Sequence, residues 1–318
     1  MSEITTKTIR VAAVQMDCIP TEVDNNLKHA EELILEAVQQ GANLVLLPEL
    51  MPSGYMATEA IWDYAETMDG KSVQWLKDTA KTHAIYLGFS FLEADGEDFF
   101  NAFVLANPAG ELDGRVRKTP PASIEANFYK AGNEPHVIET EIGRIGVGIC
   151  YENLLYERIC ELTELDVDLV LSPAAAGRAK PFISGDVRRF EEMLIRGRNL
   201  YSDVLEVSCV VANRIGPLET ELPGMLPYLK SSFPGLSSII DANGTVLAEL
   251  GEEDAVIVSE IKMSQSQKKR VTPKRYGKLW AIPVPWYAFL WPLTQKMGEK
   301  EYKRNPRRPL KALAISSK

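Results

Sequence analysis

Three apolar runs of the chain each end on a side chain able to do chemistry: LVLLPE ends at Glu49, GRVRK at Lys118 and GRIGVGIC at Cys150. A carboxylate, an ammonium and a thiol can serve as base, oxyanion donor and nucleophile in attack on a carbonyl or nitrile carbon. Each has an ordinary explanation when taken alone. A Glu after a strand caps a helix or meets solvent, a Lys there is a surface charge, and a Cys is a small buried apolar group. Their shared layout is the informative feature, because α/β active sites form where strand ends converge on a crevice. Cys150 follows a Gly-rich strand and precedes Tyr151, Glu152 and a predicted helix. Turn amides and the positive end of that helix would favour thiolate, and the Tyr151 N–H is a candidate oxyanion donor.

A papain-like site would pair the thiol with a histidine. His29 falls within an amphipathic helical pattern, His83 near a helix end and His136 before an apolar strand. None of their positions ties them to Cys150. A carboxylate serves instead when burial raises its pKa toward the working pH, and Glu49, after Leu46-Leu47-Pro48, is placed for that.

The elements that must position these groups are legible in the periodicity. Strands are predicted at 9–16, 43–47, 84–92, 100–106 and up to Lys118, then at 144–149, 167–171, 207–212, 236–240, 245–250 and 256–261. Helices are predicted at 24–40, 72–83, 154–164 and 186–201, the first with Leu27, Ala30, Ile34, Ala37 and Val38 on one face. Asp241-Ala-Asn-Gly244 reads as a hairpin turn. Interleaved helices and strands together with tight hairpins imply mixed sheets covered by helices.

The 318 residues are 45% hydrophobic and 25% charged, the balance of an ordinary globular protein. MSEITTKTIR has no apolar core or small-residue cleavage site, so no secretory leader is expected. The stretch from Trp280 to Leu293 is too short and too rich in proline to span a bilayer, and the expected location is the cytoplasm. Four cysteines without CxxC spacing, and three scattered histidines, suggest neither a disulfide scaffold nor a metal site; no cofactor is expected. From Lys262 onward the chain holds 15 Lys+Arg and 2 Asp+Glu, so the tail carries +13 and the remainder −22. That argues against a general nucleic-acid binder, and the tail's nearest acidic surface is the body itself or a second subunit. The expected division is residues 1–262 as the main domain and 263–318 as a basic, aromatic extension. Packing of that extension on the body or on a partner is favoured over contact with a membrane surface.

The blocks LLPELMPSGY (46–55), RKTPPASIE (117–125) and GVGICYEN (146–153) resemble the three signature blocks of the nitrilase superfamily, which carry Glu, Lys and Cys in that order. VAAVQM, NPAGEL, ANRIG and GLSSIIDANG extend the likeness over roughly residues 9–261. The resemblance implies an α-β-β-α four-layer sandwich with mixed sheets, a homodimer or higher homo-oligomer, and Glu49, Lys118 and Cys150 as a triad. It also implies that Glu125 helps hold the lysine and the substrate. Two departures bear on substrate class: Thr119 and Pro120 stand where many amidases have a histidine at the second position, and Tyr151 stands where nitrilases typically have Trp. Tyr55 and Tyr151 are candidate substrate-binding residues beside these blocks, Phe128 is a further neighbour, and Arg178 and Arg188 are candidate carboxylate binders. The expected activity is hydrolysis of a small-molecule amide through a thioester, releasing acid and ammonia or amine. A nitrile or N-carbamoyl compound is the alternative substrate. An acyltransferase and a non-catalytic interaction protein are the alternatives from other classes.

Overall fold

A computed structural model describes residues 7–178, 183–224, 228–263, 268 and 270–317. The beginning of the segment read for a leader (1–6) and residues 264–267, 269 and 318 of the basic extension lie outside the described residues. Among the described residues there are fourteen strands: β1 (Lys7–Gln15), β2 (Leu44–Leu46), β3 (Tyr86–Asp95), β4 (Asp98–Ala106), β5 (Leu112–Arg117), β6 (Val137–Thr140) and β7 (Gly143–Val147) come first. They are followed by β8 (Leu169–Pro173), β9 (Ser208–Ala212), β10 (Ile215–Thr220), β11 (Leu229–Pro234), β12 (Ser238–Ile240), β13 (Val246–Glu249) and β14 (Ala255–Met263). The α-helices are α1 (Val23–Gln39), α2 (Lys71–His83), α3 (Tyr156–Glu164), α4 (Asp186–Leu205), α5 (Trp291–Arg304) and α6 (Arg307–Ser316).

Two six-stranded sheets form, in the orders β14-β1-β2-β3-β4-β5 and β13-β12-β9-β8-β7-β6. Each has a parallel centre, β1-β2-β3 in one and β7-β8-β9 in the other, flanked by antiparallel strands. The period of two in each strand sorts its side chains between layers. Val11 and Ala13 of β1 pack with Leu46, Val147, Leu169 and Val210 between the sheets. Ala12 and Val14 turn the other way, onto Leu27, Ala30 and Ile34 of α1. On the second sheet, Val170 and Cys209 meet Ile159 of α3 and Tyr201 of α4. The result is the α-β-β-α four-layer sandwich with mixed sheets.

Most predicted boundaries agree within two or three residues. The feature beside the site that the periodicity does not show is the turn ahead of the helix predicted from residue 154. Chain from Cys150 to Leu154 is a separate 3-10 turn, and α3 begins at Tyr156. The β10–β11 ribbon and helices α5 and α6 went unread. Pro217 interrupts the apolar pattern of β10, and Pro292 masks α5, although proline is well tolerated in a helix's first turn, where it sits. The extension lies on the body: Arg275 pairs with Glu157 at 2.7 Å, Lys268 with Asp168 at 2.8 Å, and Arg308 and Lys311 pair with Asp98 and Asp63. Among the described residues no helix is long and apolar enough to cross a membrane.

Candidate active site

Glu49 stands three residues beyond β2, Lys118 immediately after β5 and Cys150 three residues beyond β7. Strands β3 to β5 pair antiparallel in succession, which restores β5 to the direction of β2, so Glu49 and Lys118 emerge at the same edge of their sheet. The second sheet supplies Cys150 from across the inter-sheet core, where its side chain touches both that core and the helix layer beyond.

Lys118 is fully buried, with its Nζ 2.6 Å from Glu49 Oε1 and 2.8 Å from Glu125 Oε2. Burial works against its charge, but Glu125 and Glu49 outweigh it and hold the ammonium well above its ordinary pKa. Glu49 is also fully buried. Its Oε1 accepts from Lys118 and from Asn101 Nδ2 at 2.7 Å, and its Oε2 accepts from the Ala175 N–H at 2.8 Å. Burial raises the Glu49 carboxyl above its usual range against the pull of Lys118. Glu125 sits in the turn Ser123–Asn127, accepts the Ala122 N–H at 2.8 Å and is met by the Tyr55 hydroxyl at 3.2 Å.

Cys150 takes a left-handed φ of +53°, unusual for a residue with a Cβ and of a kind that clusters at functional sites. Its thiol differs from the sequence expectation. Burial, then the Glu49 carboxylate, push it well above the ordinary thiol pKa, and Lys118 and the Ala175 N–H only partly offset this. The short 3-10 turn at Cys150 is not accompanied by a lowered thiol pKa. Cys18 and Cys209 are fully buried with thiols pushed up to about 12, and serve as apolar packing.

The carboxylate of Glu152 ties two of these loops together. One oxygen accepts the Ile149 N–H at 2.7 Å; the other accepts the Thr119 N–H and meets His136 Nε2 at 2.8 Å and Arg158 Nη2 at 3.3 Å. Burial would raise its pKa, yet His136, Arg158 and the Thr119 N–H hold it below the usual range. His136 therefore contacts Glu152 and braces the loops behind the thiol. Asn101, Ala175 and Glu152 were not singled out from sequence. The amide of Asn101 amid the apolar run of β4 was a readable signal; Glu152 resembled a first-turn helix acid, and a backbone N–H such as that of Ala175 leaves no trace in side-chain patterns.

Cys150 opens onto a chamber of about 620 Å³, whose walls include Tyr55, Tyr151, Glu125 and Arg178. Phe128 packs instead with Trp62 and Phe99. Arg188 is exposed, 3.6 Å from Glu192. Among the described residues no group of three or more His, Cys, Asp and Glu is arranged to hold a metal ion.

The carbon-nitrogen hydrolase family profile matches residues 10–271. The chain belongs to the carbon–nitrogen hydrolase family. It is 29% identical over 287 residues to omega-amidase NIT2 of Danio rerio, covering 86% of this chain and 96% of the relative. It is 30% identical over 273 residues to a nitrilase of Pyrococcus abyssi, covering 83% and 93%. Among solved structures, the carbon-nitrogen hydrolase of Helicobacter pylori G27 superposes with a TM-score of 0.70 at 19% identity, over 81% of this chain and 90% of that one. Saccharomyces cerevisiae Nit3, of the nitrilase superfamily, superposes with a TM-score of 0.66 at 25% identity, over 82% and 92%. As a member of this family the protein is an enzyme of the amidase and nitrilase type.

Proposed function

We propose that this hydrolase cleaves the carbon–nitrogen bond of an amide, with Cys150 as nucleophile, Glu49 as general base and acid, and Lys118 with the Tyr151 N–H as oxyanion donors. The observation that carries the reading is the fully buried Lys118 ammonium, held between Glu49 and Glu125 beside a thiol that opens onto the chamber. Lys118 and Asn101 both donate to Glu49 Oε1, whereas Oε2 accepts the Ala175 N–H and keeps a lone pair to take the thiol proton. The raised pKa values of both groups favour transfer of that proton in step with attack, since a free thiolate is disfavoured beforehand. Sulfur bonds to the carbonyl carbon, and the carbonyl oxygen becomes an anion facing Lys118. Collapse breaks the carbon–nitrogen bond as Glu49 passes its proton to the departing nitrogen. A thioester remains on Cys150. Glu49 then takes a proton from water as the hydroxide adds to the thioester carbon; collapse breaks the carbon–sulfur bond, Glu49 returns the proton to the Cys150 sulfur, and the acid leaves. Glu125 orients Lys118 throughout, and Tyr55 and Tyr151 flank the bound substrate.

An amide is favoured over a nitrile because Tyr151 stands where nitrilases typically carry Trp, and relatives named for omega-amidase activity are among the most similar. The homodimer and the cytoplasmic location belong to the same proposal, and sedimentation and cell fractionation test them. The decisive experiment quenches wild-type and Cys150→Ala protein during turnover of an amide panel, with intact-mass and ammonia readouts. An acyl mass increment on wild-type protein, absent from a folded Cys150→Ala variant that releases no ammonia, is expected. Equal turnover by Cys150→Ala would overturn the assignment.

A further inference from the structure

Residues 279–318 lie beyond the stretch matched by the family profile, yet they build part of the catalytic chamber. Tyr287, Leu290, Trp291 and Thr294 line it from one side. The segment is anchored: Trp280 and Trp291 meet the Tyr151 ring edge-on at 5.9 and 5.8 Å, and the Ala281 N–H bonds to the Leu154 carbonyl at 2.9 Å. Helix α5 also supports the turn that carries Glu125. The Thr294 and Ser123 hydroxyls are 2.7 Å apart, and Gly298 approaches so closely that a Cβ there would lie 2.9 Å from the Asn127 nitrogen. The tail thus meets the site at two points, the residue after the nucleophile and the turn of the second glutamate.

The chamber wall is overwhelmingly apolar. Leu154, Phe190, Met193 and Leu218 of the body face it together with Leu290 and Trp291 of the tail. Its volume, about 620 Å³, falls within the roughly 300–1,000 Å³ of small-molecule sites, far more than an unsubstituted short amide needs. Glu125 and Arg178 are the charged side chains among its described lining residues, and both are engaged. Glu125 holds Lys118. The Arg178 guanidinium is bound by Glu191 at 2.7 Å, Glu252 at 2.6 Å and the Ser232 hydroxyl at 3.0 Å. A carboxylate-bearing acyl group would have to displace one of those glutamates and lose its hydration in an apolar enclosure.

From these observations we infer that the tail closes an apolar acyl site, and that the substrate is an amide with a medium-chain aliphatic or aryl acyl group. The inference rests on the amide-hydrolase reading above. Burial of each methylene in such a chamber raises kcat/KM about three- to fourfold while the chain still fits. Leu290, more than half exposed at the rim, is the point where a longer chain meets the tail.

The test measures ammonia release by the full-length protein from acetamide, hexanamide, octanamide, phenylacetamide and succinamate, with Cys150→Ala as background and Leu290→Asp as the probe. Because Leu290 is largely exposed, the Asp variant is expected to melt like wild type. Wild type should prefer hexanamide, octanamide and phenylacetamide to acetamide and succinamate. Leu290→Asp should lower the octanamide-to-acetamide ratio of kcat/KM at least about tenfold, the scale of discrimination in an apolar pocket. A preference for acetamide or succinamate, or an unchanged ratio in Leu290→Asp, overturns the inference and leaves the amide-hydrolase reading intact. Release no greater than the Cys150→Ala background from every amide overturns both.

Discussion

Replacing Lys118 by Met keeps most of the length of the side chain and removes the charge that two buried carboxylates share. Glu49 and Glu125 lie 2.6 and 2.8 Å from its Nζ, and the lysine is fully buried. Removing one partner of a buried ion pair typically costs about 3–5 kcal/mol, because a charge is left without compensation in a poorly solvated place. The orphaned carboxylates limit that cost by taking up protons, and the cost therefore depends on pH. Burial already raises the Glu49 pKa, and losing the counteracting Lys118 raises it further. A carboxyl whose folded pKa exceeds its unfolded value contributes stability that is present at low pH and lost as pH rises through the folded value. The deficit of Lys118→Met relative to wild type should therefore be small near pH 4, where unfolded carboxylates also begin to protonate, and grow toward neutrality. Urea-unfolding midpoints at several pH values measure this. The same variant lacks the proposed oxyanion donor, so on that reading kcat should fall by about 10²–10³ where the protein is still folded. Wild-type turnover by Lys118→Met, or a stability deficit independent of pH, would refute the electrostatic reasoning.

Glu152→Gln preserves shape but leaves His136 and Arg158 facing a neutral amide. It should cost about 3 kcal/mol near neutral pH, the lower end for a broken buried pair. Because the Glu152 pKa is depressed, wild type should lose this advantage in acid, as pH falls through that lowered value, and acid-denaturation curves of the two proteins check it. If Glu49 must be ionised to accept the thiol proton, its raised pKa displaces the acid limb of kcat/KM above the ordinary glutamate value of about 4.3; a limb at or below that value contradicts the role. A Cβ at Gly148 would lie 2.1 Å from Asn153 Oδ1 and 2.7 Å from the Tyr201 hydroxyl. Gly148→Ala should accordingly destabilise the protein by about 1–3 kcal/mol in thermal melts, and wild-type stability would show that the loop is looser than described.

What could be read from the sequence follows from how local each cause is. Strands such as β2 and β8 are buried on both faces and appear as short apolar runs, and the stripe of α1 repeats with the helical period. The strand-end positions of Glu49, Lys118 and Cys150 were legible for the same reason. Their electrostatics were not. The thiol pKa depends on burial and on Glu49, about 100 residues away in the chain, whereas the local signal, a turn and a helix start, pointed toward thiolate. The bracing by Glu152 was hidden because its partners come from the Lys118 loop, from before β7 and from α3. In the tail, prolines and aromatics obscured α5, whose stability comes from packing against the turn at residues 123–127 more than from its own propensity.

The same wiring explains how groups carried by two different sheets can be held in register. Glu49 and Lys118 are fixed to each other through one carboxylate oxygen, and Asn101 on β4 holds that oxygen from a third strand. Cys150 comes from the second sheet, and the links that cross to that side include two made by carboxylates. The Ala175 N–H, just beyond β8, binds Glu49 Oε2 and lies against the thiol. Glu152 binds the amide before Cys150 and the amide after Lys118. Both links are backbone N–H groups bound by buried carboxylates, interactions that are short, directional and costly to leave unmade. Sliding one sheet over the other would strain both at once. The arrangement therefore ties the geometry of the site to the integrity of the inter-sheet core, and variants that loosen that core should lose turnover before they lose secondary structure.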